Sequence, residues 1–197
     1  MMLVEQVPVP ASVLPLAEFR DHLKLGTGFS DDAVQDGLLE ANVRAALAAV
    51  ESRTGKAVLS REFAWSVSAW RDLSFQTLPI APVQSIERLQ IVDLDGIVEI
   101  ADPATYRLHI DAHRPAIASR TICLPSIPVG GRAEIDFTAG FAAEWSAVPA
   151  DLAQAVMGIA AYFYENRSAH GLDQTDLPAS LLGLLAPYRN VRLFGRG

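Results

Sequence analysis

The octapeptide LHIDAHRP, Leu108 to Pro115, gathers the side chains best suited to chemistry. On an extended strand His109, Asp111 and His113 would project to one face, and all three types ligate divalent metals. A small metal-binding module or metal-dependent enzyme is therefore one reading. Against it, Arg114 and Pro115 follow at once and no second His/Cys cluster stands nearby. A polar, exposed strand end accounts for the same residues. DLDG, Asp93 to Gly96, matches the opening of a calcium loop, but the later ligands and the closing glutamate are missing. Its Asp95-Gly96 pair is explained by a hairpin turn.

Other chemistry is thin. The chain has no GxSxG, no P-loop and no GxGxxG opening a helix after a strand. The glycines of VGGRAEI precede a strand and read as a turn. Nothing assembles a nucleophile, a base and an oxyanion hole, and no cofactor motif is present. His22 and His170 read as surface or helix-end residues. Trp65, Trp70 and Trp145 read as packing residues. The single cysteine, Cys123, cannot form an internal disulfide, which fits folding in a reducing cytoplasm, and it reads as a small hydrophobe.

Stepping from side chains to composition, 197 residues, half hydrophobic and a fifth charged, suit one globular domain or two small ones. The opening MMLVEQVPVP has no basic region followed by an apolar one, so no signal peptide is expected. No apolar run approaches the roughly 20 residues of a membrane-spanning helix. A net charge of −7 argues against a general nucleic-acid-binding surface. The charge is uneven: from Pro178 onward there is no acid, while Arg189, Arg192 and Arg196 give +3 against −10 for the remainder. An acidic body with a basic end points to a tail that docks on something.

The periodicity changes along the chain. PLAEFRDHLKL predicts a short helix with Pro15 in its first turn and Leu16, Phe19 and Leu23 on one face. After GTGFSDD, where Ser30 or Asp31 can cap, a longer helix runs to about Arg53 and ends at Thr54-Gly55. It carries two apolar stripes: Val34, Leu38, Ala41, Ala45 and Ala48, then Leu39, Val43, Ala46 and Val50. Two stripes require two neighbours. REFAWSVSAW alternates, with Phe63, Trp65 and Val67 on one strand face. The prolines of SFQTLPIAPV exclude a central strand. SIERLQIVDLDGIVEI predicts a hairpin, and YRLHI, AIASRTICLP and GRAEIDFTAGF predict three further strands. These five or six short antiparallel strands indicate a small barrel or sandwich.

From Pro149 the pattern is helical again, to about Ser168. Leu152, Ala155, Val156, Ile159, Ala160 and Phe163 form one stripe, and Ala153, Met157, Ala161 and Tyr164 a second. Between Ala155 and Tyr164 nothing is charged, so this helix is expected to be buried nearly all round. Either the β segment covers it or another copy of the protein does. Gly158, Ala160 and Ala161 permit close helix approach, and Tyr162 and Tyr164 suit an interface with a polar rim. Met157, Ala161, Tyr162, Tyr164 and Arg167 are the candidate subunit-interface residues. A last short helix, PASLLGLLAPY, precedes the tail RNVRLFGRG. The fold class is thus α+β: a helical bundle core from both ends of the chain, with helices about 15–54 and 149–187. A small antiparallel β barrel or sandwich is inserted at about 57–140, and an extended tail follows at about 188–197.

In its ordered set of segments the chain resembles the head–tail connector (adaptor) family of long-tailed phages and gene transfer agents. The set runs from DDAVQDGLLEANVRAALAAVESRTGK through the tryptophan strand, LPIAPV, the hairpin turn and TAGF to VPADLAQAV and YENR. No single piece is diagnostic, but the match spans almost all of residues 1–197 in order, as one connector domain. The resemblance implies a structural protein of the particle's head–tail junction, synthesised in the bacterial cytoplasm. It implies a homo-oligomeric ring, typically a dodecamer, beneath the portal protein and followed by a stopper or tail-completion protein, with DNA only in transit through its channel. A stopper or tail-completion protein is itself the neighbouring alternative, usually shorter and without the helical frame. In related adaptors the C-terminal segment reaches the portal, which carries onto Arg189, Arg192, Leu193, Phe194 and Arg196. The hairpin at Asp95 and Gly96 is a candidate tail-side loop.

Overall fold

The computed structural model describes residues 2–24, 32–166 and 177–190. Among the described residues eight strands and four α-helices alternate in blocks, and the chain divides into two compact units. One unit comprises residues 1–8 and 59–141, the other residues 9–58 and 142–197.

The first unit is all β. Strands β1 (Met2–Glu5), β2 (Arg61–Val67), β4 (Val83–Val92), β5 (Val98–Ile100) and β8 (Arg132–Ala139) form one antiparallel sheet in the order β1-β2-β8-β4-β5. Strands β3 (Phe75–Thr77), β6 (Tyr106–His109) and β7 (Ala116–Ser119) form a second, in the order β3-β7-β6. The alternation expected for β2 holds: Phe63, Trp65 and Val67 are buried. Across the ladder Phe63 lies opposite Phe137 and Trp65 opposite Ile135, with the two phenyl rings stacked 5.8 Å apart. Ala133, Ile135, Phe137 and Ala139 continue that buried face on β8, the central strand. Such cross-strand apolar pairs are the unit of sheet stability.

Three expectations need correction. The barrel does not close: the strands form two open antiparallel sheets with free edges. No strand is expected before REFAWSVSAW, yet Met2–Glu5 pairs with β2 in the register Leu3 to Trp65. AIASRTICLP is a strand only at Ala116–Ser119. Beyond it the Ser119 hydroxyl donates to Cys123 O at 2.8 Å and accepts from the Thr121 amide at 3.0 Å. These local bonds replace the ladder and turn the chain. Phe75–Thr77, just before the prolines of LPIAPV, is an edge strand, where proline-rich continuations are tolerated.

The second unit holds α1 (Leu16–His22), α2 (Asp32–Thr54), α3 (Ala150–Glu165) and α4 (Ala179–Leu185). Helix α1 buries Phe19 and is tied to α2 by the Arg20–Asp36 ion pair. Helix α2 packs on α3, and α3 on α4. The end of α2 follows its local signals: Gly55 takes φ +67°, the left-handed geometry that glycine favours, and its amide donates to Glu51 O at 2.8 Å. Helix α3 starts directly after Pro149, with Asp151 in its first turn, where a carboxylate favours the helix's positive end.

Candidate functional site

The metal candidate does not assemble. Strand β6 ends at His109, so the period of two does not carry on to Asp111 and His113. The His109 ring instead packs edge-on against Phe75, with centroids 5.5 Å apart. Asp111 Oδ1 accepts the backbone amides of His113 and Arg114, each at 2.7 Å. The Arg114 bond first and the His113 bond second hold its carboxyl below the usual range. That carboxylate closes a turn. Asp93 does the same in the hairpin, accepting from the amides of Asp95 (2.9 Å) and Ile97 (2.8 Å), while Gly96 takes φ +83°. Among the described residues no group of three His, Cys, Asp or Glu side chains is placed to hold a metal ion, and no helix is long and apolar enough to cross a membrane.

Helix α3 has three unlike sides. Leu152, Ala155, Val156, Ile159 and Ala160 are fully buried, as the first stripe predicts, although Phe163 is only half-buried. A second side faces α4, where a Cβ on Gly158 would stand 2.5 Å from Leu181 Cδ2 and the leucine tip would have to turn aside. The third side carries Ala153, Met157, Ala161 and Tyr164, all half-exposed in the isolated chain. The isolated chain therefore covers this stripe only in part, which leaves room for the second of the two expected covers, another copy. Tyr162, half-buried, rests against Phe163 with rings 6.3 Å apart. Arg167 and His170 lie outside the described residues.

Helix α2 repeats the pattern. Leu39, Val43, Ala46 and Val50 are buried, whereas Leu38, Ala41, Ala45 and Ala48 are exposed. At about 100° per residue the two stripes lie roughly 150° apart. The side chain of Val34, assigned to the exposed stripe, lies outside the described set. Each long helix thus keeps one apolar stripe covered and one open.

The base of the C-terminal tail is fastened inside the same unit. Lys56 is 1% exposed, and its Nζ donates to Asn190 Oδ1 at 3.3 Å. The Tyr188 hydroxyl donates to Asp151 Oδ1 at 2.6 Å. Arg189, between those anchors, is exposed. Arg192, Leu193, Phe194 and Arg196 lie outside the described residues. Sequence reasoning missed Lys56, Asp151 and Tyr188 as tail anchors. A lone lysine after a helix-ending Thr-Gly carries no signal of a partner more than a hundred residues away.

No protein-family model matches the chain, and no curated protein matches it. Solved structures do. A chain in the neck of an empty GTA particle, computed with C6 symmetry, superposes with a TM-score of 0.90 at 49% identity, covering 99% of this chain and 98% of that one. A chain in the virion of a native gene transfer agent (GTA) particle gives 0.87 at 49% identity over the same shares. One in the neck of a native GTA particle, computed with C12 symmetry, gives 0.85 at 46% identity, again over 99% and 98%. With nearly half the residues identical and almost none of the chain left out, this protein belongs to the head–tail connector family of phages and gene transfer agents.

Proposed function

We propose that the protein is the adaptor of a phage-like or gene-transfer-agent particle: a twelve-fold ring seated beneath the portal protein, joining capsid to tail and lining the path of the DNA. The observation that carries this reading is the likeness, at 46–49% identity over 99% of the chain, to chains of GTA necks computed with six-fold and twelve-fold symmetry.

The surfaces fit a ring. A cyclic assembly needs two different, mutually complementary patches on every copy, because its contacts are heterologous. The partly exposed stripe of α3, Met157, Ala161 and Tyr164, supplies one. The open stripe of α2, Leu38, Ala41, Ala45 and Ala48, supplies the other, its alanines allowing close approach. The portal contact falls to the basic tail, through Arg189, Arg192, Leu193, Phe194 and Arg196, leaving a base held by Lys56 and Asp151. A net charge of −7 also suits a channel that passes DNA without holding its phosphates.

The test is a particle preparation from cells lacking this chain, imaged by electron microscopy. Portal-bearing heads with no ring and no tail are expected. Normal tailed particles would overturn the proposal, and heads that keep an adaptor ring but lack the next layer would assign the chain to the stopper position instead.

A further inference from the structure

The β4–β5 hairpin carries more apolar surface than its own unit uses. Leu94 is 75% exposed, Ile97 67%, Val98 50% and Ile100 66%. Beside it, in the loop before β8, Val129 is 98% exposed. The two loops adjoin: a Cβ on Gly130 would lie 3.0 Å from Leu94 Cδ1, and Ile97 and Glu99 share a shallow cleft with Asp93, Ser126 and Pro128. Contiguous exposed apolar surface of this kind marks an interaction site.

Its distribution says what form of partner is needed. Strand β5 is the sheet's edge, paired with β4 on one side only, in the register Val98 to Val92 and Ile100 to Gln90. Alternation puts Val98 and Ile100 on one face and Ile97 with Glu99 on the other. A finger with Val98 and Ile100 on one face and Ile97, flanked by Glu99, on the other fits a groove with two walls. A flat partner would leave one face wet.

Charge identifies the chemistry of that groove. From Leu89 to Tyr106 the chain has Asp93, Asp95, Glu99 and Asp102 and no lysine or arginine. The nearest cation of β8, Arg132, is engaged by Glu134 at 2.6 Å. Another copy of the same acidic body would bring carboxylates toward carboxylates. We infer that the hairpin Asp93–Ile100, with Val129 at its flank, inserts into an apolar groove rimmed by lysine or arginine on a different protein of the neck. The inference rests on the adaptor reading above and names how its tail-side partner is held.

The experiment supplies full-length variants to cells lacking the native gene and counts two things in purified particles: copies of this chain per head, and the fraction of heads with tails. With Ile97→Ser plus Ile100→Ser, the chain stays on heads at wild-type copy number while the tailed fraction falls by about tenfold or more. Asp95→Lys plus Glu99→Lys does the same, because it places like charges against the basic rim. Should the serine pair fail to fold, the lysine pair decides alone, its positions being exposed. An unchanged tailed fraction in either folded variant overturns the inference. Loss of the chain from heads would make the hairpin a contact between copies, and also overturns it. Wild-type chain absent from heads would instead bring down the adaptor reading itself, so the two failures are separable.

Discussion

Tyr188 donates its hydroxyl proton to Asp151 Oδ1 across 2.6 Å, tying the residue before the basic tail to the first turn of α3. Burial first, and the Asp151 bond second, push the phenol up to about 12 from an ordinary 10.0. The neutral phenol is the form that bonds. Its contribution is therefore complete below the unfolded value near 10.0 and lost as pH rises through about 12. Tyr188→Phe is expected to lower stability by roughly 0.5–1.5 kcal/mol near neutral pH and to flatten the alkaline loss. Denaturant unfolding of both proteins at neutral pH and near pH ~10.5 checks it, and equal stabilities at neutral pH would contradict it.

Gly140 takes φ +141°, and a Cβ there would stand 2.4 Å from both Cα and N of Ser60. Backbone cannot step aside as a side-chain tip can. Its amide donates to Pro82 O at 2.9 Å and its carbonyl accepts from Gln84 Nε2 at 2.8 Å, so the strand end is held on both sides. Gly140→Ala should cost about 3 kcal/mol or more, combining overpacking with a strained backbone. The thermal midpoint is the measure, and a shift under a few degrees would refute the close approach.

Ala161 lies on the open stripe of α3, half-exposed in the isolated chain. Ala161→Glu should cost the free protein about 1 kcal/mol, as changes at partly covered sites do. In a ring the same carboxylate is forced against apolar neighbours, so ring-bearing heads should fall by about tenfold. Calorimetry of the free chain and copy number per head separate the two effects. A soluble variant with normal particle yield would count against this stripe as a subunit contact.

Deleting Arg189 to Gly197 removes the basic tail but leaves Tyr188 and Asp151 in place. The truncated chain should fold, losing the Lys56–Asn190 and Arg189–Ala186 hydrogen bonds among the described residues, and should no longer co-sediment with tailless, portal-bearing heads. Phe194→Ala is expected to weaken docking more than Arg196→Ala if an apolar anchor dominates. Equal losses that grow with salt would show that charge dominates.

Features written in neighbouring residues were legible. The end of α2 at Thr54-Gly55, the Asp95-Gly96 turn, the start of α3 after Pro149 and the alternation of β2 all rest on local signals, and each stands where expected. Strand β1 was not legible, because all four of its residues are exposed and it shows no alternation. Its only determinant is a ladder partner some sixty residues away. The tail anchors failed for the same reason: Lys56 and Asn190 are 134 positions apart. The histidine cluster misled because it presumed a strand that continues, whereas Asp111 uses its carboxylate to end it. The second helix stripes were legible as surfaces that need a cover, but hydrophobic pattern does not say whether the same chain or another copy supplies it.

The helical unit is assembled from two separated stretches, 9–58 and 142–197, with most of the β unit between them. A ribosome therefore releases α2 well before α3 and α4 exist. Through that interval Leu39, Val43, Ala46 and Val50, all fully buried at the end, must wait without their final neighbours. Nascent copies emerging side by side on one messenger would display these greasy ridges together, which makes premature clumping the hazard this architecture carries. Slow translation past residue 58 should lower soluble yield, whereas pauses before α2 is made should be harmless.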